Sequence, residues 1–368
     1  MATITHIFKT YFPDTQGGLE EAIRQISKIS LKAGFNVKVV STSKRPTTRI
    51  LDGINCQSFG ESFSVFSNPV SIDLIRYFNH IIASTDIIHL HFPWPTCELL
   101  ILLFNVKKPI VLTFHCDVHN NKVLKYLYTP ILKKLLDKVN IIVPTSKNLM
   151  ENTNILRKYY DKCHIVNLWL DEKRFENIDG PRVQIVDLVK SIGKFGLFIG
   201  VLRWYKGLYY LVEAAQNLNN MILIVGSGPL YTKLYYLIKS RNIKNVLLLG
   251  YLPDDDVKFL ISKSTFVVLP SSSPAEAFGQ VLLEASYFKR PMISTKLGTG
   301  TDFVNINKKT GIVVNPHNVV ELNKAMRKLF DNEELAKFYG LNAFERYRNL
   351  FTEKAQGHKY INIYKSLI

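Results

Sequence analysis

Short apolar runs alternate along this chain with stretches whose apolar residues fall at helical spacing. Residues 4–8 read as a strand. Residues 19–33 then place Leu19, Ile23, Ile26 and Ile29 on one helical face and stop at Gly34. Residues 35–40 form the next strand run, closing a β-α-β unit whose first junction is the turn Pro13-Asp14-Thr15-Gln16-Gly17-Gly18. Further strand runs follow at 86–92, 109–114 and 141–143. After a mixed polar stretch, with a linker expected near 172–190, the pattern starts afresh. Strand runs at 196–200, 221–225, 246–249, 266–269, 292–294 and 311–314 alternate with helical periods such as 208–216. Strands alternating with helices predict parallel sheets flanked by helices, so the fold class is α/β. A length of 368 residues suits two such domains.

One helical period is unusual in charge. Residues 122–139 set Val123, Leu124, Leu127, Ile131, Leu135 and Leu136 against Lys122, Lys125, Lys133, Lys134 and Lys138, and Pro130 is expected to kink or split the helix. The segment suits either a basic amphipathic surface for an anionic membrane or a domain helix with a solvated face. The whole chain carries 47 basic against 30 acidic residues, a net +17. Such an excess attracts polyanions or anionic lipid. Nucleic acid is not expected as a partner, because the basic residues are spread through periodic segments without finger spacing or an RNP-like run. Cys56, Cys97, Cys116 and Cys163 form no CxxC pair, as expected of free thiols in a reducing compartment. The N-terminus lacks a signal-peptide pattern, and the most apolar stretch, 99–104, is too short to span a bilayer. A soluble or peripheral protein is expected.

The stretch 270–285 concentrates the candidate chemistry. It follows the strand run 266–269, opens with Pro270-Ser271-Ser272-Ser273-Pro274, and becomes a helix through Val281, Leu282 and Ala285. A strand running through a small-residue loop into a helix aims free backbone N–H groups at one point, where an anion can sit. Glu276 lies before that helix and Glu284 about two turns inside it. Glu276 either reaches a reacting group or complements the helix dipole. Arg203 and Lys206 stand between a strand run and a helix start, a forked and a point cation suited to a diphosphate. Gly17-Gly18, and the glycine pair of Gly226-Ser227-Gly228-Pro229, let backbone approach a ligand or simply make tight turns. There is no GxGxxG dinucleotide fingerprint. His89 and His91 share one strand face. With no third ligand evident nearby, they read as cleft-edge or core histidines rather than metal ligands. His115 follows a strand's C-terminal end, where open α/β sheets bind ligands; it either bonds a substrate hydroxyl or is structural. Asp254-Asp255-Asp256 follows a proline and reads as an acidic helix start rather than a metal-binding pair.

Taken in order, Gly17-Gly18, His115, Gly200…Arg203…Lys206-Gly207, Gly226-Ser227-Gly228-Pro229, Gly250-Tyr251 and Glu276-x7-Glu284 resemble the retaining, nucleotide-sugar-dependent glycosyltransferases of family 4. That resemblance implies the GT-B arrangement, two facing Rossmann-like domains with parallel sheets and a C-terminal helix crossing back to the first. It assigns 1–175, with a returning helix 351–368, to acceptor binding and 188–350 to the nucleotide sugar. It also implies site roles. Arg203, Lys206 and backbone near Gly18, Gly226, Phe278 and Gly279 meet the donor diphosphate. Glu284 holds the ribose, Tyr251 frames the base, Glu276 contacts the transferred sugar, and His115 bonds a sugar hydroxyl, taken as that at C6. Gly17 and His91 are weaker candidates for the acceptor. No metal or other cofactor is required.

Two departures stand out. The arginine usual directly after the glycine is displaced to Arg203, with Val201 in its place, and Asn167-Leu168-Trp169-Leu170-Asp171 replaces a proline-glycine turn. The leading expectation is a peripheral enzyme on the cytoplasmic face of the plasma membrane. It would add mannose from GDP-mannose to a polyprenyl-diphosphate-linked glycan of a surface polysaccharide, with the 122–138 helix toward anionic lipid. Alternatives are a UDP-hexose donor, a nucleotide-sugar epimerase of the same architecture, and an inert nucleotide-sugar-binding protein.

Overall fold

The computed structural model describes residues 1–15, 17–65, 68–117 and 122–368, without the side chains of 122–125 and 127. Gln16 of the predicted turn, and Val118 and His119 beyond His115, lie outside the described residues, as do the side chains of Lys122 and Lys125. The chain divides into two compact units, Met1–Leu168 with Gln356–Ile368, and Trp169–Ala355. The change of unit falls inside the 167–171 segment that departs from the family pattern. The second unit thus starts ahead of residue 188. Part of the segment expected as a linker is the helix Val183–Ile192, whose Ile185 is buried.

The strands of the first unit are β1 (Thr3–Ile7), β2 (Asn36–Ser43), β3 (Thr47–Leu51), β4 (Ile54–Gly60), β5 (Phe63–Val65), β6 (Asn68–Val70), β7 (Ile87–Phe92), β8 (Ile110–Phe114) and β9 (Ile141–Pro144). Seven make one sheet in the order β3-β4-β2-β1-β7-β8-β9, parallel except for the edge strand β3; β5 and β6 form a separate antiparallel pair. Alternation sorts the sheet into two faces. Ile88, Leu90, Phe92, Leu112 and Phe114 join a core built with the helices Ile72–Ala83, Pro95–Leu103 and Lys122–Lys138. The opposite face carries His6, His89, His91 and Thr113, and the last helix, Glu353–Lys365, sets Tyr360 and Tyr364 on it.

The Lys122–Lys138 helix is not split by Pro130. Its proline lies on the exposed side, as does Tyr126, whose carbonyl loses its helical donor. Tyr128, Leu132, Leu135 and Leu136 are buried, and Lys133 and Lys134 are exposed.

The second unit holds β10 (Phe195–Ile199), β11 (Met221–Val225), β12 (Val246–Gly250), β13 (Phe266–Leu269), β14 (Met292–Thr295) and β15 (Gly311–Val314). They form one parallel sheet in the order β12-β11-β10-β13-β14-β15. Counted within the unit this is 3-2-1-4-5-6, the doubly wound order. Its switch point lies between β10 and β13, and ligands of such sheets bind beyond the C-terminal ends of the strands there.

Candidate active site

The loops after β10 and β13 carry the charged candidates of the second unit, and glycines let those loops close on one another. Gly207 is left-handed (φ 71°), and a Cβ there would lie 1.9 Å from the Pro270 carbonyl oxygen. A Cβ on Gly226 would lie 2.0 Å from the Gly200 carbonyl oxygen. Gly226 therefore serves close backbone packing of the β10 and β11 loops. The Ser272 N–H donates to the Tyr205 carbonyl at 2.7 Å and ties the β13 loop to the β10 loop.

This stitching brings Lys206, in the short 3-10 turn Trp204–Lys206, against Glu276. Lys206 Nζ lies 2.5 Å from Glu276 Oε2, which also accepts from Ser271 Oγ at 3.0 Å. Both charged side chains are largely withdrawn from solvent, at 13% and 9% exposure. Thr295 in turn donates to the Ser271 carbonyl. Arg203 stands exposed in the same loop, and Tyr251 is exposed just beyond β12. Phe278 is buried and left-handed Gly279 is the N-cap of the helix Gln280–Tyr287, which no side chain caps. Glu284 is one turn inside that helix, where about two were expected.

Sequence reasoning missed Ser271 and Arg174. The Arg174 guanidinium forks onto Asp254 (Nε–Oδ2 3.0 Å) and lies 3.9 Å from Glu284 Oε1. Its position in the supposed linker hid it; only the acidic run 254–256 hinted that cations should be near. Those acids are all engaged at a helix start. Asp255 pairs with Lys258 at 2.6 Å, and buried Asp256 holds the Arg182 side chain at 2.5 Å and its backbone N–H at 2.7 Å.

In the first unit, Gly17 is the N-cap and Gly18 the first residue of the helix Gly18–Lys32. Gly17 is extended, and a Cβ there would lie 2.8 Å from Glu20 Oε2, so close approach of that carboxylate favours glycine. Glu20 is itself held by the Thr10 and Thr15 hydroxyls, each at 2.8 Å.

The histidines form a buried row. β1 pairs with β7 so that His6 opposes His89. His6 Nδ1 lies 3.0 Å from His91 Nε2, and His91 Nδ1 lies 3.1 Å from His115 Nε2. His89 meets the Tyr364 hydroxyl through Nδ1 at 2.6 Å and Thr113 Oγ1 through Nε2 at 2.7 Å. Burial disfavours the imidazolium, pushing His6 and His115 down to about 3 and His89 and His91 well below the ordinary histidine range. Two expectations are corrected here. A third histidine does lie beside His89 and His91, because the doubly wound order sets β1 next to β7. His91 is buried with both ring nitrogens engaged, so it has none free for an acceptor. The missed signal was His6 on the strand that must flank the switch point. His115 is also buried, and its Nδ1 has no hydrogen-bond partner among the described residues.

Among the described residues no helix is long and apolar enough to cross a membrane. Residues 16–174 match the family described as Glycosyltransferase Family 4, and residues 188–346 match Glycosyl transferases group 1. The chain is 34% identical to the O-antigen chain mannosyltransferase C of Escherichia coli over 99% of its own length and 98% of that protein. It is also 34% identical to the D-rhamnosyltransferase WbpZ of Pseudomonas aeruginosa, over 95% and 92%. Its fold matches sucrose-phosphate synthase from Thermosynechococcus elongatus with a TM-score of 0.79 at 17% identity, covering 100% and 99% of the two chains.

Proposed function

The chain belongs to the family 4 glycosyltransferases and has their GT-B fold, and on that premise we propose that it is a retaining enzyme moving mannose from GDP-mannose onto a lipid-linked glycan in the assembly of a bacterial surface polysaccharide. The full-length similarity to an O-antigen chain mannosyltransferase supports both sugar and setting.

One observation carries the mechanism: the Lys206–Glu276–Ser271 cluster at the β10/β13 switch point, in the same loop as Arg203. A nucleoside diphosphate gains charge as it leaves. Arg203 offers it a fork and Lys206 a point charge, and the uncapped helix start at Gly279 offers backbone N–H groups. Gly226 keeps backbone close to the phosphates, and Phe278 supplies backbone beside Gly279. Glu284 takes the ribose hydroxyls and Tyr251 borders the base. With two cations on the leaving group, the reaction calls for no divalent metal. Retention follows when the acceptor oxygen bonds C1 on the face from which the phosphate oxygen departs, and that phosphate oxygen takes the acceptor's proton. Glu276, anchored by Lys206 and Ser271, orients the hexose and offsets positive charge at C1. His115 bonds the hydroxyl at C6.

A thermal-shift screen tests the donor: GDP-mannose, GDP, UDP-glucose and UDP, without added metal. A ligand of the folded state raises the melting temperature by mass action. Shifts with GDP-mannose and GDP alone are expected; shifts with the uridine pair alone would overturn the donor. A second reading rests on the equal similarity to a D-rhamnosyltransferase. Rhamnose lacks the hydroxyl at C6, so His115→Ala should then leave donor binding unchanged, whereas a mannosyl donor should lose affinity.

Membrane placement has support of its own in the first unit. Leu99 and Leu103 are exposed on the helix Pro95–Leu103, which packs beside the Lys122–Lys138 helix with its exposed Tyr126, Lys133 and Lys134. Apolar tips among lysines suit peripheral binding to the anionic inner face of the plasma membrane. Sedimentation with anionic but not neutral vesicles, lost in Leu103→Asp, is the expected outcome.

A further inference from the structure

The geometry of the histidine row points to a relay. We propose that His6 and His91 are positioning residues which, through a one-way chain of hydrogen bonds between neutral rings, hold His115 as an Nδ1–H donor. The purpose of that donor rests on the reading of His115 as a contact to a sugar hydroxyl; the chain itself does not.

The rings bond along their lines of centres. His6 and His91 have centroids 5.3 Å apart and planes 25° apart, with 3.0 Å between the facing nitrogens. His91 and His115 repeat this at 5.4 Å, 24° and 3.1 Å. The centroid separation matches the nitrogen gap plus the two ring radii, so each nitrogen lone pair aims at its neighbour. Two lone pairs cannot face one another at that distance, so one nitrogen of each pair carries a proton. A metal ion is the rival reading, since His6, His89 and His91 offer nitrogens within 4.8 Å. Lone pairs aimed at each other do not converge on an ion, and both nitrogens of His89 are already taken by hydroxyls.

A neutral imidazole has one donor and one acceptor nitrogen. The tautomers of the three rings are therefore coupled, and only two arrangements satisfy both bonds. In one, every ring carries its proton on Nδ1: His6 donates to His91, His91 donates to His115, and His115 Nδ1–H is free. In the other, every proton is on Nε2, and an N–H is stranded at His6. His6 Nε2 and His115 Nδ1 are the buried ends of the row, without a partner among the described residues. Burying a donor without an acceptor is costly. His6, at 0% exposure, lies midway along the sheet, whereas His115 follows the C-terminal end of β8, where a ligand can supply the acceptor. The first arrangement puts the free N–H where it can be used. It makes His115 a donor to an oxygen lone pair and not a base for the incoming hydroxyl.

Long-range proton–nitrogen correlation spectra of the full chain, labelled with 15N-histidine, test this at neutral pH. Neutral Nδ1–H rings are expected at His6, His91 and His115. In His6→Phe the chain loses its first donor, and His115 should shift to a mixture of tautomers. With it, kcat should fall roughly tenfold, less than a full donor loss, and the KM for the nucleotide sugar should rise. The proposal is overturned if the three wild-type rings carry protons on different atoms, or if His115 is Nε2–H. It is equally overturned if His115 stays purely Nδ1–H in His6→Phe. The wild-type spectrum decides even if that variant does not fold. The expected spectra with an unchanged kcat would keep the relay and remove the sugar contact instead.

Discussion

The two units use one topology and fill it with opposite chemistry. Counting only the parallel strands of each sheet, each places its first beside its fourth: β1 next to β7, and β10 next to β13. At the β10/β13 switch point stands an ion pair, Lys206 with Glu276, near exposed Arg203. Around β1 and β7 stand four histidines kept neutral by burial and bonded to one another or to hydroxyls. A doubly wound sheet thus sets where a site forms and leaves its polarity to the side chains. The charged point suits an anionic leaving group; the neutral row suits a hydroxyl.

Acid should separate the units most strongly. The native histidines of the row resist protonation, whereas in the unfolded chain they titrate near 6.5. Below that pH the unfolded state binds more protons, so stability falls with pH until about 3, by about 1.4 kcal/mol per pH unit for each of His6 and His115. Buried Glu98, pushed up to about 8, works the other way: it holds its proton natively while the unfolded carboxyl has lost it, so it destabilises as pH rises from 4.5 to 8. His6 and His115 together outweigh the one carboxyl, and His89 and His91 act in the same direction, so the first unit loses stability between pH 7 and pH 5. Hydrogen exchange at pH 5 should show β1, β7 and β8 opening before the second sheet. Simultaneous opening of both units would break the contrast.

Activity tests the charged point. Glu276→Ala and Lys206→Ala should each lower kcat by about 100-fold to 1,000-fold, the scale of losing one electrostatic stabiliser. Because the two side chains bond each other, the double variant should be little worse than the worse single one. Strict additivity in steady-state kinetics would mean that they act apart.

Backbone closure comes next. Gly207→Ala puts a methyl into the Pro270 carbonyl at a left-handed position and should cost about 3 kcal/mol. Gly250→Ala shares the left-handed backbone (φ 69°) but meets nothing within 4 Å, and should cost roughly 1–2 kcal/mol. Urea midpoints of the pair check this. Equal losses would mean that the loop contact adds nothing.

How far these features could be read from sequence follows from their range. Strand runs of the second unit matched β10 to β15 within a residue or so, since each is a buried apolar run bounded by turn residues. Residues 41–85, which hold β3 to β6 and the helix Ile72–Ala83, yielded no element: exposed β3 and β5 have little apolar alternation to show, whereas the helix, with Leu74, Phe78 and Ile81 buried at helical spacing, was overlooked. Glu276 and Lys206 were legible as residue types beside turn signals, but their pairing is 70 residues long-range and depends on a carbonyl fitting against Gly207. His6 was overlooked because its partners are more than 80 residues away, though strand order alone would have placed it there.

The smallest effect distinguishes two tyrosines on the neutral face. Tyr364→Phe removes the hydroxyl bound to His89 Nδ1, on a ring that is fully buried. An unsatisfied buried nitrogen costs about 1–3 kcal/mol. Tyr360→Phe removes a hydroxyl from Thr113, but Thr113 keeps its bond to His89 Nε2. That loss should fall nearer 1 kcal/mol, the ordinary net worth of a hydrogen bond. Thermal unfolding of the two variants should rank them in that order. The reverse order would mean that Thr113, and not His89, is where the last helix holds the sheet, and that the histidines are less tightly satisfied than the charged pair across the chain.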